Sequence, residues 1–117
     1  MMLALAVTTA LAGATASNAS ATSASFCGNQ YTPAHGWCYY GVPYPWKYVQ
    51  AYYSGSGSFS ICAAFNNYYS RVTLFKTCAA GFTGGCYYGG DGSADAGVGN
   101  TDGNRHTIAG YTDNTSC

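Results

Sequence analysis

The sequence predicts an all-β fold, a small disulfide-stapled antiparallel sandwich or open barrel of five to six short strands. Three observations lead there. Residues 47–53, 58–65 and 68–78 are rich in β-branched and aromatic side chains and are separated by Ser54-Gly55-Ser56-Gly57 and Asn66-Asn67, the pattern of a three-stranded meander. Six cysteines follow an apolar start in a chain of 117 residues, which points to a disulfide framework. Beyond that start, no stretch repeats apolar residues at the three-and-four spacing of an amphipathic helix.

Taken in order, residues 1–16 read as a secretory leader. The run MMLALAVTTALA passes into small residues that offer A-x-A cleavage sites, although no Lys or Arg precedes it. Its apolar core falls short of the roughly 20 residues that cross a bilayer, so no membrane span is expected. Residues 17–26 read as a flexible arm, since 17–25 carry nothing apolar larger than alanine. Such an arm suits strand addition to a partner, which makes Ser20, Thr22, Ser23, Ser25 and Phe26 candidate contacts.

Residues 27–117 form the expected β domain. A short strand fits 37–41, while Pro43 and Pro45 cannot donate ladder hydrogen bonds and leave 42–46 as an edge or loop. In the middle run Phe59, Ile61, Ala63 and Phe65 alternate with Ser58, Ser60, Cys62 and Ala64, so Cys62 lies off the apolar face. Residues 79–85 read as a glycine-containing turn closed by Cys78 and Cys86. The Gly, Asp and Asn of 87–104 read as a long irregular surface loop, and a final strand fits 105–113.

Composition excludes several function classes. Lys47, Arg71, Lys76 and Arg105 balance Asp91, Asp95, Asp102 and Asp113, so no basic field exists to attract nucleic acid. With 7% charged and 16% aromatic residues, the chain reads as folded with a tyrosine-rich surface. Tyr39-Tyr40, Tyr52-Tyr53, Tyr68-Tyr69 and Tyr87-Tyr88 should each put one ring inward and one outward. The pairs Tyr52-Tyr53 and Tyr68-Tyr69, through whichever ring faces outward, and Trp46 as an anchor are candidate contacts for another secreted protein or a glycan.

Cys27, Cys38, Cys62, Cys78, Cys86 and Cys117 allow fifteen pairings. Local spacing favours Cys27 with Cys38, Cys78 with Cys86, and Cys62 with Cys117, a framework worth on the order of 10 kcal/mol. Zinc is the weaker reading, because no C-x-x-C or H-x-x-x-H pair occurs and His35 and His106 are far apart in sequence. No metal or cofactor is expected. Residues 91–104 hold oxygen ligands but lack the calcium-loop register and its closing Glu.

No catalytic residue is singled out. The chain has no glutamate and no G-x-S-x-G elbow. His106 could serve as a base with Asp102 or Asp113 as orienter, yet nothing in their spacing selects them. The expectation is a non-enzyme.

The leader, the Ser/Ala/Thr arm at 17–25 and the cysteine-stapled β domain that follows resemble the small secreted cysteine-containing proteins of actinobacteria. Among them the layout is similar to the small adaptor subunit of streptomycete umbrella toxin particles. That resemblance implies a secreted, extracellular adaptor in a toxin assembly, with the arm as its docking element. A free-standing antimicrobial or enzyme-inhibiting protein and a cell-surface glycan binder remain the alternatives, with a small hydrolase behind them.

Overall fold

A computed structural model describes residues 22–89 and 92–117. The expected leader, residues 17–21 of the arm with Ser20, and Asp91 lie outside the described residues. Eight strands and no helix are present among those described: β1 (Ser23–Phe26), β2 (Trp37–Tyr39), β3 (Tyr48–Tyr52), β4 (Ser60–Asn67), β5 (Thr73–Ala80), β6 (Phe82–Cys86), β7 (Ala94–Asn100) and β8 (Ala109–Asp113). They form two four-stranded antiparallel sheets, β1-β8-β3-β6 and β2-β7-β4-β5, stacked as a sandwich and not closed into a barrel.

The two-residue period explains the core. Val49 and Ala51 point inward from β3, Ile61, Ala63 and Phe65 from β4, and Ala96 and Val98 from β7, all fully buried together with Ile108. Phe75 lies opposite Phe65 in the ladder and joins this layer. Thr77 and Thr83 bridge the two sheets through their hydroxyls at 3.1 Å, so neither buried oxygen lacks a partner.

Several expectations are corrected. The three runs at 47–78 are not one meander: β4 and β5 form a hairpin, but β3 belongs to the other sheet. The segment from Ser54 to Gly57 carries the chain across the sandwich instead of turning it back. At the hairpin tip Asn67 behaves as its sequence suggests, its side-chain oxygen accepting from the backbone N–H groups of Tyr69 and Ser70, both at 2.9 Å.

The turn expected at 79–85 is largely strand. Residues 73–80 run in one sheet and 82–86 in the other, with Gly81 at φ 80° as the corner between them. The surface loop expected at 87–104 contains β7, whose seven residues are all buried between β2 and β4. Trp37 and Tyr39 lie over Gly99 and Gly97, their ladder partners, and an added Cβ there would sit 2.9 and 2.6 Å from the rings. Aromatic rings from β2 thus replace the side chains that β7 lacks.

The arm is also revised. Ser23, Ala24, Ser25 and Phe26 pair with Asp113, Thr112, Tyr111 and Gly110, so this part of it is an edge strand of the domain's own sheet. Phe26 is buried against Gly110 and 5.7 Å from the Tyr40 ring. The disulfides are Cys27–Cys38, Cys62–Cys78 and Cys86–Cys117. Cys78 is the direct ladder partner of Cys62 on the outer face of one sheet, whereas Cys86 sits beside Tyr48 on the outer face of the other. Short separation therefore misled the pairing of Cys78 with Cys86.

Candidate functional site

The outer face of the β1-β8-β3-β6 sheet collects the chemistry that the core does not use. Because Val49 and Ala51 point inward, Tyr48, Gln50 and Tyr52 point outward. The register sets them in rows: Ser23, Asp113, Tyr48 and Cys86; then Ser25, Tyr111, Gln50 and Gly84; then Ala109, Tyr52 and Phe82. Tyr52 is 50% exposed and Phe82 49%, large apolar areas for two neighbouring positions. Tyr48 lies across Gly84, where an added Cβ would meet its hydroxyl at 2.7 Å, and donates to the Gln50 side-chain oxygen at 2.8 Å. The amide of Gln50 is held in place by this bond.

Asp113 anchors one end of the face. It accepts from the backbone N–H of Thr115 at 3.0 Å and of Ser116 at 2.8 Å, and from the Ser116 hydroxyl. Burial pushes its carboxyl upward, but these bonds and one from Tyr111 outweigh burial and hold it below the usual range. Tyr111 is raised in turn, first by donating to Asp113 and then by burial.

An open hollow of about 560 Å³ lies on this face, lined by Ser25, Gln50, Tyr52, Ala109 and Tyr111 and by the bend after β1. A second hollow of about 340 Å³ continues from it toward Tyr31, Arg105 and His106. Arg105 stands over the Tyr31 ring at 4.3 Å.

The structure brings together the two groups that sequence spacing could not select. His106 Nε2 meets Asp102 Oδ2 at 2.7 Å, and His106 Nδ1 meets the Tyr53 hydroxyl at 3.3 Å. The imidazole also stacks on Phe59, centroids 4.3 Å apart. The bond to His106 holds the Asp102 carboxyl below its ordinary value. Both ring nitrogens are therefore occupied from within, which suits a clasp between the 102–106 turn and the segment after β3. Asp113, the other suggested orienter, is committed to the C-terminal turn.

The remaining candidates scatter. Trp46 is a correction: it is 1% exposed, its indole N–H donating to the Val42 carbonyl at 2.9 Å and its ring 4.8 Å from Tyr44, so it is a core residue and no surface anchor. Phe26 is likewise buried. Thr22 donates its hydroxyl to Tyr44 at 3.1 Å, while Ser23 and Ser25 face outward on β1. Tyr53 packs against the core and Tyr52 projects from it, as the pair pattern implies. Tyr69 is 74% exposed and meets Tyr68 edge to face, with Arg71 over Tyr68. These two rings stand at the hairpin tip before β5, whereas the Tyr53 N–H bonds Gly81 beyond its far end, so these two tyrosine pairs lie at opposite ends of β5.

Asp95, read as part of a loop, is buried in β7 and its Oδ1 accepts from the N–H groups of Gly41 at 2.9 Å and Val42 at 3.2 Å. Desolvation raises its carboxyl against the pull of those bonds. It is thus unavailable as a calcium ligand. Gln50, Tyr111, Tyr31 and Arg105 were not singled out by sequence. For Gln50 the signal existed, in the alternation of Tyr48, Gln50 and Tyr52 with Val49 and Ala51. For Arg105 and Tyr31 none did, because they meet only through the fold.

The described residues contain no helix long and apolar enough to cross a membrane. No protein-family model, curated protein or solved structure matches the chain.

Proposed function

We propose that this protein is a secreted, non-catalytic interaction module, an adaptor subunit of an extracellular assembly. One observation carries the reading: among the described residues a single sheet ends in a strand edge at β1 and has, beside it, an open aromatic face with a fixed amide. An edge accepts a partner's extended segment by strand addition, and an aromatic face accepts a second ligand. Two adjoining recognition surfaces are what a linking subunit requires. Three disulfides suit an oxidising, extracellular setting. The Tyr53 hydroxyl that meets His106 also bonds the Ser56 carbonyl at 3.0 Å, and its ring packs against the core, a structural use of this hydroxyl that supports the non-catalytic part.

The test uses protein secreted into native culture medium. It should elute in a complex larger than itself, and Tyr52→Ala with Tyr111→Ala should shift elution or impair target-cell binding. His106→Ala and Asp102→Ala should leave both unchanged. A protein that runs alone, or one that loses biological activity on His106→Ala while remaining folded, overturns the reading.

A further inference from the structure

The two hollows on the outer face form one groove. Gly28, Tyr52 and Ala109 line both, and the groove runs from Tyr111 on β8 back past the start of that strand to Arg105. Its charge is one-sided. Among the described residues no aspartate or lysine lines it; its fixed cation is Arg105, and Asp102 faces His106. Arg105 is exposed and makes no ion pair among the described residues. Its guanidinium carbon stands 4.3 Å from the Tyr31 ring centroid, and both residues line the groove, where a guanidinium fork can meet a carboxylate.

The other end is neutral. Tyr111 and Tyr52 flank a floor of Ala109 and Gly110, with Gln50 as the ladder partner of Tyr111. A flat phenol beside an amide fits a sugar ring, whose C–H face packs on the aromatic while its hydroxyls bond the polar groups. We propose that this groove binds a carboxylate-bearing oligosaccharide of the uronic-acid class, with sugar rings along Tyr111 and Tyr52 and a carboxylate on Arg105. This rests on the reading of that face as a recognition surface. A neutral glycan would leave the groove's positive end unmatched. An acidic peptide would satisfy Arg105, but a peptide adding as a strand needs a sheet edge, and β8 and β3 are interior strands here.

The test is calorimetric titration of the intact disulfide-bonded protein with oligogalacturonate, its methyl ester, and polyglutamate. Oligogalacturonate should bind, weaken with added salt, and exceed its methyl ester by about tenfold. Arg105→Gln should lower affinity for the acid to that of the ester and leave the ester unchanged, while Tyr52→Ala should weaken both. Melting curves of each variant confirm folding, and Arg105→Lys gives an intermediate value if geometry as well as charge matters. Equal binding of acid and ester, or tighter binding of polyglutamate, overturns the proposal. So does no binding of any probe: if Tyr52→Ala still impairs complex formation or cell binding, the ligand class alone is wrong; if it impairs neither, the recognition face is wrong as well.

Discussion

Asp95 shows how a single buried carboxylate is tolerated in a sheet of small residues. Its Oδ1 receives two backbone N–H groups from the Gly41 bend, which would otherwise be left without acceptors. Asp95→Asn keeps an acceptor at that place and removes a desolvated charge, so its stability should match or exceed the native protein's at neutral pH. Asp95→Ala should cost roughly 2–4 kcal/mol, because two donors lose their partner. Chemical denaturation of both variants checks the pair. The pH dependence has opposite signs at two aspartates. Asp95 has a raised native value, so the native state takes up its proton first and the penalty it imposes is relieved as pH falls. Asp113 has a lowered native value, so its contribution is present above the unfolded value of about 4 and is lost as pH falls through the native one. Melting temperature should therefore drop on acidification below about pH 4, and Asp113→Asn should flatten that drop.

β1 and β7 are the elements that their own sequences describe least well. SASF has no alternation strong enough to mark a strand, and it becomes one because β8 presents an open ladder and Gly110 leaves a slot for Phe26. Deleting residues 22–25 should lower stability by about 2–4 kcal/mol, since three ladder positions and part of the cover over β8 are lost. Unchanged melting of the deletion would mean that these residues contribute only to binding. β7 does alternate, with Ala94, Ala96 and Val98 inward and Asp95, Gly97 and Gly99 outward. Six glycines and acidic or amide neighbours in 87–104 concealed that pattern, because glycine prefers no strand by itself and only the Trp37 and Tyr39 rings make the segment a good neighbour.

At the scale of the molecule, the disulfides join parts that the sandwich has already brought together. Loops of 11, 16 and 31 residues correspond to about 2.8, 3.1 and 3.7 kcal/mol of unfolded-state entropy. Cys62→Ala with Cys78→Ala removes one bridge and should cost about 3 kcal/mol. Cys78→Ala with Cys86→Ala breaks two bridges, frees Cys62 and Cys117, and should cost about 7 kcal/mol. Equal losses in the two double variants would show that the pairing is wrong. Full reduction should unfold the domain, because the combined sum rivals the stability of a small domain.

Legible in the chain alone were the all-β class, the presence of a disulfide framework, the inward Ile61, Ala63 and Phe65 of β4 and a break between two strand runs near Asn67. All of these follow from side-chain period, turn chemistry and composition, which act over a few residues. Only the tertiary structure decided which sheet each strand joins, that Cys78 lies opposite Cys62, that Trp46 turns into the core, and that Tyr31, Tyr52, Arg105 and Tyr111 line one groove. Those outcomes depend on segments many residues apart filling one another's missing volume, as Trp37 does for Gly99, and no local pattern encodes a partner that lies on a distant strand.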